Sequence, residues 1–398
     1  MKKKTAIVFT LLLFCLYHCT TPEKLEKAGS TAYWNDLALF LAGMPQRPDS
    51  PFRETAATPQ YARHVEAMNA FWDMVRTENI DHIIPWRAAK LDGQRHARTA
   101  FYPFSGADLA NLYTFYPDAR TYIMVALEEP GPIPDPLRLT PGELSEGLSA
   151  IHRAIESIAS RNYFHSAVMQ RELPNRYLPG TVPVLLIFAA RLGLRVTAVD
   201  LIGIDASGGI VPLGTQRNIG TTGPSTMGAR IQFVTPRETH VRTIIYLDMR
   251  LSDSVLDPSS PEGAFFRKIG SFDTLIKSAV YLLHRGGFST MCTFILEHSG
   301  TVIQDDSGMP YRLFDKNDWD ARLFGTYTRP RRLKDLQNPP DQPDLALAFS
   351  EKSEPLPFSF GYGVLTGKGK SNLLLAVRKK GRPFGGPANR PIRSRSSQ

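Results

Sequence analysis

Cysteine is almost absent from this 398-residue chain. Only Cys15, Cys19 and Cys292 occur, and the first two lie in the N-terminal apolar segment, so no disulfide framework can staple the body together. Stability must come from a buried core. Long apolar runs are lacking as well: the most pronounced one, Ala6 to Tyr17, falls short of the roughly 20 residues that cross a bilayer. No repeat of fixed period is visible, which disfavours solenoids and propellers. The histidines are scattered, with no His-Glu-x-x-His and no pair at i, i+4, so no metal site is expected. Acidic residues are missing from one stretch: Arg378 to Gln398 carries seven basic side chains and no carboxylate.

The N-terminus reads "MKKKTAIVFTLLLFCLYHC": three lysines, an apolar run, then a cysteine. That pattern predicts a secretory signal over 1–18. The cysteine directly after the run resembles a bacterial lipoprotein signal, in which Cys19 would be lipidated and become the mature N-terminus. Leu16 fits that pattern, whereas Tyr17 and His18 are bulkier than the small residues usual there. Cleavage elsewhere and an uncleaved anchor are the alternatives. Acyl chains contribute about 0.8 kcal/mol per buried CH₂, so a multiply acylated Cys19 would hold the chain on a membrane surface. Export and lipid anchoring, at a periplasmic or outer-membrane face, are therefore expected.

The formal net charge of +9 is concentrated at the two ends, leaving the remainder within one charge of neutral. The tail "KKGRPFGGPANRPIRSRSSQ" is rich in Gly, Pro, Ser and Arg, and 380–398 is expected to be disordered. Its basic residues suit anionic lipid headgroups or an anionic envelope polymer, and equally a solubilising end. Nucleic acid is not an expected partner of an exported chain. Residues 19–60 read as a tether with a short helix near Tyr33 to Leu41, and 61–379 as one globular domain.

Within that domain, Val65, Met68, Phe71, Trp72 and Val75 mark one face of a helix over Tyr61 to Asn79. Leu144, Leu148, Ile151, Ile155 and Ile158 do the same over Glu143 to Arg161, with Thr140-Pro141 as cap and first turn. Strands are predicted at Thr99 to Phe104, Arg120 to Glu128, Arg195 to Gly203, Ala229 to Thr235 and His240 to Met249. Others are predicted at Thr301 to Gln304, Pro310 to Phe314 and Ser371 to Arg378. A hairpin is expected around "TPRET". Strands separated by helices give an α/β (or α+β) class, a mixed β-sheet flanked by helices in a single main domain.

Three near-motifs carry chemistry. "FYPFSGADLANLYTFYPDARTYIMVALEE" reads strand, turn, helix, strand, acid, and Glu128 stands 22 positions after Gly106. That spacing matches the acid that grips a ribose in a Rossmann-like site for a nucleotide or S-adenosylmethionine, with Gly106 and Asp108 at the helix start. Only one glycine stands where the fingerprint wants three, so an ordinary βαβ unit remains the alternative and no cofactor is expected. "GPSTMG" misses the serine-hydrolase elbow, because its second glycine is one residue late and Ser225 sits in a loop before a strand. "DKNDWDARLFGT" lacks the glycine and closing glutamate of a calcium loop.

"TVIQDDSGMPYRLF" sets Asp305 and Asp306 between two runs read as strands. Asp and Gly suit a hairpin turn. Two adjacent carboxylates beside Tyr311, Arg312, Asp320 and Arg322 equally suit a charged cleft, in which repulsion raises one pKa for acid/base work.

The "FYPFSGAD" and "QDDSGMPYR" blocks, with "WDARLFGTY" and "SNLLLAVRK", resemble a family of exported bacterial proteins to which no activity is attached. The resemblance implies an exported single unit and gives no residue a role. Two function classes follow. One is an envelope protein, lipid-anchored at a membrane surface, that binds a small molecule or serves structurally. The other is an envelope enzyme, a hydrolase or a Rossmann-like transferase. Asp305 and Asp306 are its candidate acid or base, and Gly106, Asp108, Glu128 and Arg312 its candidate ligand-binding residues.

Overall fold

The computed structural model describes residues 30–93, 96–161, 166–213, 226–327, 340–362 and 371–379. Cys19, Ser225 and the basic tail lie outside them. The described strands are β1 (Thr99–Pro103), β2 (Thr121–Ala126), β3 (Arg195–Ile204), β4 (Ile210–Pro212) and β5 (Met227–Val234). They continue with β6 (Arg242–Asp248), β7 (Phe272–Ile276), β8 (Ser299–Gln304), β9 (Trp319–Gly325) and β10 (Asn372–Arg378). All belong to one mixed sheet of order β4-β3-β5-β6-β2-β1-β7-β8-β10-β9.

β6, β2, β1, β7 and β8 run parallel to one another. β10 is antiparallel to both β8 and β9, so β9 points the same way as β8. Numbered in chain order, these six co-directional strands lie 3-2-1-4-5-6 across the sheet, with β10 inserted between the fifth and sixth. That is the doubly wound order. The chain leaves β1 toward β2 on one side and later returns to β7 on the other, so the sheet reverses direction between β1 and β7. β5, β3 and β4 extend the β6 edge through antiparallel pairings.

Alternate residues of each central strand feed two cores, one on each face. Tyr102, Tyr122 and Met124 pack into one, while Phe101, Ile123 and Val125 pack into the other. The first core is covered by α1 (Thr31–Leu41), α2 (Arg53–Ala56), α3 (Pro59–Val75), α4 (Asp81–Lys90), α5 (Leu109–Phe115), α6 (Pro141–Arg161), α7 (Ser166–Glu172) and α8 (Val182–Arg191). The second lies under α9 (Pro261–Lys268), α10 (Ser289–His298) and α11 (Pro343–Lys352).

The long amphipathic helix α6 forms where its spacing demands. Its buried side chains are Leu144, Leu148, Ile151, Ile155 and Ile158, each worth about 1.5–3 kcal/mol relative to exposure. Its first turn is closed by a reciprocal box, with the Thr140 backbone N–H donating to Glu143 Oε2 (2.9 Å) and the Glu143 N–H to Thr140 Oγ1 (3.4 Å). The short helix expected in the 19–60 stretch is α1. It belongs to the packed body, with Leu37, Phe40 and Leu41 fully buried.

Two expectations fail. Pro310 to Phe314 is not a strand, because Tyr311–Leu313 forms one 3₁₀ turn. No hairpin spans "QDDSG" either: β8 pairs with β7 on one side and with β10, about seventy residues later, on the other.

Candidate functional site

β1 ends at Pro103 and hands the chain to the turn Ser105-Gly106-Ala107-Asp108, in which Gly106 has φ +54°. The Ser105 N–H donates to Val125 O (2.9 Å), which ties this turn to the end of β2. Asp108 then caps α5, its Oδ1 accepting from the Asn111 backbone N–H at 3.1 Å and from Asn111 Nδ2 at 3.0 Å. Tyr102 donates its hydroxyl to Asp108 Oδ2 at 3.2 Å.

Opposite Asp108, Lys277 follows directly on β7. The two residues are 1 % and 2 % exposed, and Lys277 Nζ lies 2.6 Å from Asp108 Oδ2. The contact is an ion pair that uses at most one of the three ammonium donors, and among the described residues no other acceptor meets the ammonium. Burial pulls the lysine below its ordinary pKa, while the negative charges of Asp108 and Asp305 oppose that shift.

The backbone around Lys277 is strained. Ser278, Val280 and Tyr281 hold φ of +55°, +55° and +54°, and Phe104, after β1, holds +58°. Each left-handed non-glycine residue costs about 1–2 kcal/mol, and Val280 is β-branched. The turn is held from below by "DDS". Asp305 Oδ1 accepts from the Ser278 N–H (3.2 Å), Ser307 Oγ from the Ala279 N–H (2.8 Å), and Ser307 O from the Tyr281 N–H (3.1 Å). Tyr281 donates its hydroxyl to Asp306 Oδ2 at 2.5 Å, and Asn372 Nδ2 donates to Asp306 Oδ1 at 3.0 Å. Strain of this kind clusters where a site is built.

Asp305 and Asp306 are therefore not tips of an exposed turn but 0 % and 4 % exposed. Burial and the adjacent Asp306 push the Asp305 carboxyl up to about 7. Burial also raises Asp306, against the hydrogen bonds from Tyr281 and Asn372.

Above this floor opens a crevice of about 320 Å³, lined from the carboxyl ends of β1, β2, β6 and β7. Gly106, Asp108 and Glu128 face it, as do Lys277 and Ser278. A second chamber of about 480 Å³ adjoins it and shares Leu127, Glu128, Met169 and Gln170. Glu128 stands at the junction, and its carboxyl is raised by burial and by Asp248. The strand carrying it is anchored by Tyr246, whose hydroxyl donates to Glu128 O at 2.7 Å. Just beyond, Gly131 and Gly180 have φ of +71° and +88° and sit so close that a Cβ on either would collide with backbone.

A larger groove of about 630 Å³ runs between α3 and α6, away from the strand ends. Its buried titratable group, His64, is pushed down to about 4 by burial and contacts Leu41 O at 2.9 Å. Carboxyl ends at a strand-order reversal are where open α/β sheets bind ligands, so the smaller crevice is the better candidate.

The sequence-derived candidates thus divide. Gly106, Asp108 and Glu128 come together on the crevice, with Asp305 and Asp306 one layer beneath. Arg312 does not join them: it is exposed on the 3₁₀ turn and is not part of the crevice wall. Lys277, Ser278, Tyr281 and Asn372 were not anticipated. The available signal was a lysine closing the apolar run "FDTLI". Among the described residues, no group of three or more His, Cys, Asp or Glu could hold a metal ion. No helix among them is long and apolar enough to cross a membrane. No family model, no curated protein and no solved structure matches the chain.

A raised folded-state pKa at Asp305 means that the folded protein holds a proton which the unfolded chain releases near pH 4. This group's contribution is full below about pH 4 and is lost as pH rises toward about 7. Chemical denaturation from pH 5 to 8 should show wild-type stability falling more steeply than that of Asp305→Asn. Parallel profiles would mean that Asp305 is ionised in the fold.

Proposed function

We propose that the protein binds a small organic ligand of the nucleoside class, without phosphate groups, in the crevice at the carboxyl ends of β1, β2 and β6. The observation that carries this reading is Glu128, half-buried just past the end of the second strand beside the strand-order reversal, where a carboxylate can accept both hydroxyls of a ribose. Val125, Leu127, Met249, Leu251 and Phe288 supply apolar wall for a flat base. Phosphate is disfavoured because the start of α5 is already occupied by the Asp108 carboxylate, where a pyrophosphate-binding turn leaves that position open.

Group transfer from such a ligand is the second reading, that of a Rossmann-like transferase. The strained Ser278–Tyr281 turn over the Asp305–Asp306 pair favours it. In both readings the two aspartates shape the floor of the site, and neither lines the cavity. Titration calorimetry should detect adenosine binding that weakens at least tenfold in Glu128→Gln, with ATP and NAD binding no tighter than adenosine. Much tighter binding of the phosphate-bearing compounds, or an unchanged affinity in the variant, would overturn the assignment.

The N-terminal pattern supports a location at a membrane surface, with Cys19 as the lipidated residue, and the basic tail supports contact with anionic headgroups or polymer there. Metabolic labelling with a fatty-acid analogue should tag the wild type and miss Cys19→Ala. Labelling that survives the substitution would contradict the anchor.

A further inference from the structure

We infer that the ligand of this crevice also carries a carboxylate, received by Lys277 Nζ and Ser278 Oγ about two strand spacings, roughly 10 Å, from the hydroxyls held by Glu128. The inference deepens the nucleoside reading and rests on it for the position of Glu128. Lys277 follows directly on β7 and Glu128 lies two residues past β2, with β1 between the two strands, which is the basis of that spacing. Both side chains line one cavity.

Lys277 is an ammonium with three donors, 2 % exposed, whose single polar contact among the described residues is the one to Asp108. Ser278 Oγ is likewise buried without a hydrogen-bond partner among the described residues. Two donors left unfilled on consecutive residues, both facing a cavity, are costly unless something accepts from them. Asp108 cannot do more, because its oxygens already take Asn111, Tyr102 and the ammonium.

A planar anion with two oxygens and one charge matches an ammonium and a hydroxyl on consecutive residues of one cavity wall. A dianion does not: Asp108 offsets the Lys277 charge and Asp305 holds its proton below about pH 7, which leaves Arg250 at the crevice wall to balance a single negative charge. Arg250, exposed at the crevice wall, adds a second cation to the lining.

Calorimetry on the full-length protein separates this inference from the nucleoside reading. S-adenosylhomocysteine should bind at least tenfold tighter than its carboxamide, and Lys277→Met should close the gap. Since removing the ammonium leaves Asp108 buried and unpaired, the neutral double variant Lys277→Met/Asp108→Asn is compared in parallel. A ribose-free pair, 3-phenylpropionate and 3-phenylpropionamide, is tested by thermal melting. There the acid should raise the melting temperature of the wild type alone, and the amide should raise it in neither protein.

If adenosine fails to bind while the acid still outperforms its amide through Lys277, the nucleoside reading falls and the carboxylate site stands. If acid and amide are equivalent in both pairs, or the preference survives loss of Lys277, the carboxylate site is refuted whatever adenosine does.

Discussion

The ion pair between Lys277 and Asp108 is the constraint around which the site is arranged. Both groups are removed from water, so each would carry a penalty of several kcal/mol alone, and neither can be deleted without stranding the other. Their meeting needs β1 and β7 side by side, because Asp108 hangs from the turn after one strand and Lys277 from the end of the other. The reversal of strand order thus has a chemical counterpart. It places opposite charges at adjacent strand ends with a cavity above them.

The surrounding structure supports that pair at some cost. Asp108 also caps α5 and accepts from Tyr102, so the same carboxylate fixes a helix and half of the crevice floor. On the other side, three left-handed residues after β7 are restrained by Asp305, Ser307 and Tyr362, the last donating its hydroxyl to Ser278 O at 2.9 Å. A less restrained turn would relax toward ordinary φ values and swing Lys277 away. Gly361 belongs to this restraint, since a Cβ there would collide with the Asp305 carboxylate.

Much of the sheet was legible because the apolar, β-branched run "TYIMVA", the alternation in "RTIIYLD" and the turn at "TPRET" are local signals. So were Gly106 and Glu128, whose spacing belongs to one βαβ unit. β7 was not legible: "FDTLI" is buried on both faces and offers no alternation to separate it from other short apolar runs. β9 was hidden in "DKNDWDARLFGT", where acidic residues suggest a loop.

Of the two readings of "QDDSG", the hairpin fails for a related reason. Its composition does fit a turn, with the Gly308 N–H donating to Asp305 O at 3.1 Å, but its partners Tyr281, Tyr362 and Asn372 lie 25 to 66 positions away. No local pattern encodes them. Arg312 was nominated by proximity in sequence, and the 3₁₀ turn sends it outward.

The central claim is that the crevice over the Lys277–Asp108 pair is the binding site, rather than the larger groove between α3 and α6. A crystal structure of the protein grown with S-adenosylhomocysteine tests this directly. The account predicts the ribose hydroxyls on Glu128 and the carboxylate on Lys277 and Ser278, with Asp305 and Asp306 untouched beneath. Ligand density beside His64 in the helical groove, or a bound ligand that leaves Lys277 without an acceptor, would contradict it.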